Sequence, residues 1–197
     1  MRHFLQRLMF AAPAGLPALT NDYFEFLGLP RALSIDAEDL QNRFYTLSRQ
    51  LHPDRFTRRP EAEQRYALEA TSLLNDAYRT LREPIPRAEY LLKQEGFDIG
   101  EQRGKDVPPE LLEEVFELNM ALEEMRMGDD DARPQLEQAQ TRFQVMQDEI
   151  DREIDQMFRA YDEERSREVL AEIRNVLNRR RYIQNLLRDV DKALTPA

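Results

Sequence analysis

The sequence contains no cysteine, which excludes a disulfide framework, a zinc ribbon, a thiolate nucleophile and a thiol redox pair. Histidine is scarce: only His3 and His52 occur, too few for a histidine-built metal site. No cofactor is expected from such a set. No apolar run approaches the ~20 residues needed to span a bilayer, so no membrane partner is expected. Basic residues are in deficit, 28 against 38 acidic ones in 197 residues, a poor balance for sequence-independent nucleic-acid binding. Strand patterns are missing as well, which makes the chain all-α.

The charge is unevenly placed. Residues 1–105 carry 15 basic and 15 acidic side chains, whereas residues 106–197 carry 13 and 23. Two halves with different electrostatic faces imply two domains with two partners, against the plainer reading that acidic helices merely aid solubility. Residues 1–21 hold no acid. They read as a disordered tail rather than a targeting segment, which implies a cytoplasmic protein; the alternative is the mitochondrial matrix.

From Asp22 the periodicity is helical. Asp22 caps a short segment with Tyr23, Phe24, Phe26 and Leu27, which Gly28 and Pro30 stop. Asp36 caps a helix whose stripe is Leu40, Phe44, Leu47 and Leu51, and the place of His52 before Pro53 forces its end near Leu51. The next helix runs from Pro60 or Glu61 to about Arg82, with Ala67, Ala70, Leu74, Ala77, Tyr78 and Leu81 inward. Glu83-Pro84-Ile85-Pro86 breaks it, and Arg87 to Lys93 forms a shorter piece. Residues 94–107 read as a linker. Three long helices follow: one opened by Pro109 and carrying Leu111 to Met125, one over Pro134 to Ala160, and one over Asp162 to Leu194. Short connections between them argue for an antiparallel bundle.

The informative point is His52-Pro53-Asp54, in a loop between two antiparallel amphipathic helices. Between residues 40 and 60, Arg43, Arg49, Arg55, Arg58 and Arg59 stand against a single acid, Asp54. Arg43 and Arg49 fall off the apolar stripe and are expected to point to solvent. A cationic helix face ending in a rigid polar loop suits docking on an acidic protein surface. No nucleophile neighbours His52 in the sequence, so the triplet reads as a binding element and the chain as a non-enzyme.

Residues 22–82 resemble a J domain. The likeness rests on Asp22-Tyr23-Phe24-Glu25-Phe26-Leu27-Gly28-Leu29, on the run from Phe44 to His52-Pro53-Asp54, and on Leu74-Asn75-Asp76-Ala77-Tyr78-Arg79-Thr80-Leu81. The continuation Arg87-Ala88-Glu89-Tyr90-Leu91-Leu92 and the acidic second half narrow it to the HscB-type J-domain co-chaperones of iron–sulfur cluster assembly. The resemblance covers nearly everything after residue 21. It implies a J domain at 22–93, made of a helical hairpin plus short helices, then a linker at 94–107 and a client-binding three-helix bundle at 108–197. The implied partners are a DnaK/HscA-type heat-shock chaperone, whose ATPase is stimulated, and an iron–sulfur cluster scaffold protein of the IscU type. The chaperone side is assigned to His52, Pro53, Asp54, Arg43, Arg49 and Arg55. Family client positions correspond to Leu112, Phe116, Glu117, Met120 and Glu124, with Tyr182 on the last helix. Met120 departs from the acid expected there, and Glu113 beside it shares that role.

Leu112 and Phe116 occupy spacings that serve a bundle core equally well. Rival readings keep the J domain but serve unfolded clients in general, or reduce the chain to a helical adaptor. The first is weakened by the lack of a Gly/Phe-rich segment and of cysteine-pair zinc repeats. A hydrolase built on Glu113, Glu114 and Glu117 finds no second catalytic group to organise it.

Overall fold

The computed structural model describes residues 12–98 and 111–195; among them every regular element is helical. The chain divides into two compact units, Met1–Leu91 and Leu92–Ala197.

In the first unit α1 (Tyr23–Leu27) is capped at Asp22, whose carboxylate accepts from the amides of Phe24 at 3.0 Å and Glu25 at 3.5 Å. Gly28 ends it at φ 67°, where a side chain would be strained and its Cβ would stand 3.0 Å from Arg43 Nη1. The hairpin pairs α2 (Ala37–Leu51) with α3 (Glu61–Arg82), and the aromatic faces meet where Phe44 stacks on Tyr78 at 4.2 Å. Buried Tyr66, Ala70, Leu73, Leu74 and Leu81 make α3 the spine of the unit.

Helix α4 (Pro84–Gln94) begins earlier than the proline pair suggested. Only Glu83 is extended; Pro84 and Pro86 both lie in the first turn, where a missing N–H costs nothing. This start lets Arg87 reach back while buried. Its guanidinium donates to the carbonyls of Leu81 at 2.6 Å and Arg82 at 3.3 Å, acceptors that the end of α3 leaves open, and to that of Leu33 at 2.5 Å in the connection before α2.

The expected tail at 1–21 is shorter than its composition implied. Residues 1–11 lie outside the described residues, but Leu19 is buried, Tyr66 donates to the Pro17 carbonyl at 2.6 Å, and Tyr90 donates to the Asn21 carbonyl at 2.8 Å. Tyr90 also accepts from the Tyr23 amide at 2.9 Å. Residues 17–21 therefore belong to the folded unit, because buried Tyr66 and half-buried Tyr90 supply donors that their backbone needs.

The second unit is built on a long antiparallel pair, α6 (Arg133–Glu164) and α7 (Arg167–Leu194), with α5 (Leu112–Arg126) packed against it. Leu136, Phe143, Ile150, Ile154, Phe158 and Tyr161 recur at intervals of three to seven and face Leu170, Ile173, Leu177, Ile183 and Val190. Polar rungs set the register: Gln140 meets Asp191 at 2.6 Å, Asp151 meets Arg180 at 2.5 Å and Glu153 pairs with Arg179, each step along α6 matched by a step back along α7. Helix α6 runs four residues past its expected end at Ala160. The turn is instead made by Arg165 at φ 53°, and Ser166 caps α7 through Val169 N at 3.3 Å. Tyr161, buried here, carries the core pattern across the expected break.

Of the expected linker, residues 99–107 lie outside the described residues, as does Pro109. Glu95 and Phe97 are engaged: Arg167 donates to the Glu95 carbonyl at 3.1 Å, and its guanidinium lies 4.6 Å from the Phe97 ring centroid.

Burial pushes the Tyr66 phenol up to about 12, against about 10 in an unfolded chain. Folding thus favours the neutral phenol, so its contribution is complete below pH 10 and drains away between pH 10 and 12. Tyr66→Phe is expected to lose about 1 kcal/mol at neutral pH in urea unfolding, through the abandoned Pro17 carbonyl. It should also lose less stability than the parent between pH 10 and 12. Equal alkaline losses in the two proteins would contradict this assignment.

Candidate functional site

The first candidate surface is the bend after α2. Pro53 expels His52 from the helix, leaving it at φ −56° and ψ 125°, and Pro53–Phe56 close a 3-10 turn. His52 Nδ1 accepts the Asp54 amide at 3.3 Å, which assigns the imidazole proton to Nε2 and turns that N–H outward. The Asp54 carboxylate lies 3.6 Å from Nδ1 and is 85% exposed, and the His52 side chain is 58% exposed.

Beneath this open edge the turn is fixed. Phe56 is buried, and the turn packs on α3. Gln64 donates to the Arg59 carbonyl at 2.8 Å, and Thr71 donates to the Leu51 carbonyl at 3.1 Å, so two side chains of α3 hold both flanks of the bend. Thr57 closes the turn from within by donating to the Asp54 carbonyl at 3.1 Å.

The arginines divide into two groups. Arg49, Arg55, Arg58 and Arg59 are exposed, with Arg55 folded back so that it donates to the Arg49 carbonyl at 3.2 Å. Arg43 does not point freely to solvent as its place off the stripe suggested. It is half-buried, bonded to Asp39 at 2.9 Å and to the Gly28 carbonyl at 2.7 Å, because the C-terminus of α1 offers acceptors within its reach. It braces α1 on α2 while its neighbours stay available.

The second candidate surface is α5. Val115, Leu118, Ala121 and Leu122 turn inward and are buried. Leu112, Phe116 and Met120 lie on the opposite side, 56%, 67% and 52% exposed, so neither Leu112 nor Phe116 is a core residue. A helix apolar on both faces has only one face covered by its own unit. Glu113 and Glu117 are exposed and Glu124 is half-buried, and at helical spacing all three share the sector of the outward apolar residues. Tyr182 belongs to α7 instead; it is half-buried, and burial raises its phenol above the ordinary range.

Residue reading missed Phe56, Gln64 and Thr71 at the bend. A lone aromatic inside a run of arginine, proline and threonine was the available signal for Phe56. Arg142 was missed too: it stands on α6, 3.9 Å from Glu117, and only the packing of α6 on α5 brings it to the strip. Among the described residues no cluster of His, Cys, Asp or Glu could hold a metal ion, and no helix is long and apolar enough to cross a membrane.

Comparison with known proteins finds a match in each half of the chain. Residues 22–90 match the family model described as DnaJ domain, and residues 107–191 match that described as HSCB C-terminal oligomerisation domain. The chain is 29% identical over 180 residues to the mouse (Mus musculus) iron–sulfur cluster co-chaperone protein HscB, covering 91% of this chain and 72% of that protein. The crystal structure of human co-chaperone protein HscB superposes with a TM-score of 0.64 at 28% identity, over 94% of this chain and 86% of that one. Chaperone HscB from Vibrio cholerae gives a TM-score of 0.58 at 28% identity, over 87% of this chain and 96% of that one. With both of its halves matched in order, the chain belongs to the HscB-type J-domain co-chaperones.

Proposed function

We propose that this co-chaperone acts in iron–sulfur cluster assembly, docking a DnaK/HscA-type heat-shock chaperone at the His52–Arg55 turn, raising its ATPase, and presenting to it an IscU-type scaffold protein held on α5. The observation that carries the reading is the bend itself, held fixed from beneath and open above. Pro53 and the buried Phe56 remove the ordering cost that a flexible loop would meet on docking. The exposed Asp54 carboxylate accepts charge-assisted hydrogen bonds from an arginine of the chaperone, and the outward His52 Nε2–H supplies a donor beside it. Arg49, Arg55, Arg58 and Arg59 steer encounter with an acidic surface. The work done is binding, and no bond chemistry falls to this chain.

The outward face of α5 supports the client half. Leu112, Phe116 and Met120 provide apolar area for burial, and Glu113, Glu117 and Glu124 select a partner with basic groups. The name of the mouse relative places it with iron–sulfur clusters, which supports the same choice of client here.

His52→Gln is expected to leave circular dichroism and melting unchanged, since the side chain is exposed, and to abolish stimulation in a steady-state ATPase assay of the chaperone. Full stimulation by the folded variant would refute the docking role. Arg49→Ala should slow association several-fold at low salt and flatten the dependence of the rate on ionic strength; a salt-independent parent would remove electrostatic steering from the account. Phe116→Ala should cost about 2 kcal/mol of scaffold binding, roughly 30-fold in Kd by calorimetry, with no change in Tm. Unchanged affinity would move the client elsewhere.

A further inference from the structure

Gln135, Gln138, Ala139 and Arg142 recur on α6 at intervals of three, one and three, which places them on one side of that helix. That side and the outward residues of α5 enclose a concavity of about 390 Å³, with Phe116, Glu117 and Met120 as its other wall. Buried Leu118, Ala121 and Phe143 lie at its base. The apolar strip is therefore half of something larger. Glu117 and Arg142 face each other across it at 3.9 Å, beyond hydrogen-bond length, with side chains 63% and 51% exposed. An ion pair of that length in water holds neither group firmly, so both are open to exchange.

We propose that the client surface extends from the outward face of α5 into this two-walled groove between α5 and α6, and that Arg142 is a specificity-determining residue within it. The proposal rests on the reading that α5 holds the scaffold protein. The groove suits a projecting segment whose apolar side chain inserts between Phe116 and Met120 and is flanked by one basic and one acidic residue. The basic residue takes Glu117 from Arg142, and the released guanidinium pairs with the partner's carboxylate. Two complementary charges on opposite walls define a register that an acidic strip alone does not, and they reject a purely basic partner by leaving Arg142 unmatched.

The test is calorimetric titration of the full chain with a purified IscU-type scaffold protein, at low and moderate salt. Arg142→Glu is expected to raise Kd at least tenfold and Arg142→Gln several-fold, with melting unchanged in both. The double variant Glu117→Arg, Arg142→Glu restores the internal pair with its polarity reversed; it should stay weak, whereas a merely structural bridge would be rescued. Wild-type affinity in both Arg142 variants, or rescue by the double variant, would overturn the proposal. Weakened binding by Phe116→Ala alongside wild-type Arg142 variants would leave the α5 reading standing and remove only the second wall. If Phe116→Ala binds normally as well, that reading falls and this inference with it. Self-association of the chain in sedimentation that Phe116→Ala abolishes, with scaffold binding unchanged, would make a second copy the occupant and contradict the assignment.

Discussion

Burial of Phe56 is the constraint on which the rest turns. The side chain belongs to a 3-10 turn whose neighbours His52, Asp54 and Arg55 stand in solvent, so one residue goes inward while the others are presented outward. Without that anchor the nine residues from His52 to Pro60 would be a loop with many conformations, and any partner would have to order it on binding. Pro53 fixes the entry to the turn. Thr71 and Gln64 fix its flanks through backbone carbonyls, and both come from α3. The hairpin core therefore does more than stabilise the unit; it sets the shape of the exposed edge.

The second unit uses a different device. In α6 and α7 each apolar row is matched by a facing row, and polar rungs such as Gln140–Asp191 and Asp151–Arg180 keep the pair in register. Helix α5 breaks the pattern by carrying two apolar rows, only one of which is covered. Three large apolar side chains left in water beside three acids fit the proposed client surface more specifically than apolar area alone would, because the charges restrict what can cover it. In the proposed reading one unit recognises by a rigid polar turn and the other by an apolar face with charged edges.

Much of this was legible in the residues. Proline at 53, the Leu40-to-Leu51 stripe and the Asp22 and Asp36 caps define the helices around the bend by local rules that tertiary packing does not override. The ends of long helices were less legible. Tyr161 extends α6 because it finds a place in the core, and Arg165 adopts the left-handed turn although glycine is the usual signal for it. The roles of Arg43 and Arg87 were hidden for a related reason. Each is a surface residue by type but is drawn to backbone carbonyls distant in sequence, and nothing in the local pattern announces such acceptors. Leu112 and Phe116 could not be assigned from spacing, since either apolar row of α5 satisfies the helical period; packing against α6 and α7 decided which row turned inward.

Contact with the heat-shock chaperone is proposed to fall on a fixed, solvent-facing turn. Amide resonances of the isotope-labelled chain, followed while the ATP-bound chaperone is added, test it most directly. Shifts or broadening are expected to concentrate from Arg49 to Arg59, with the amides of α5 unmoved until scaffold protein is added. Perturbations confined to other surfaces, with the signals of His52 to Arg55 unchanged at saturation, would contradict it.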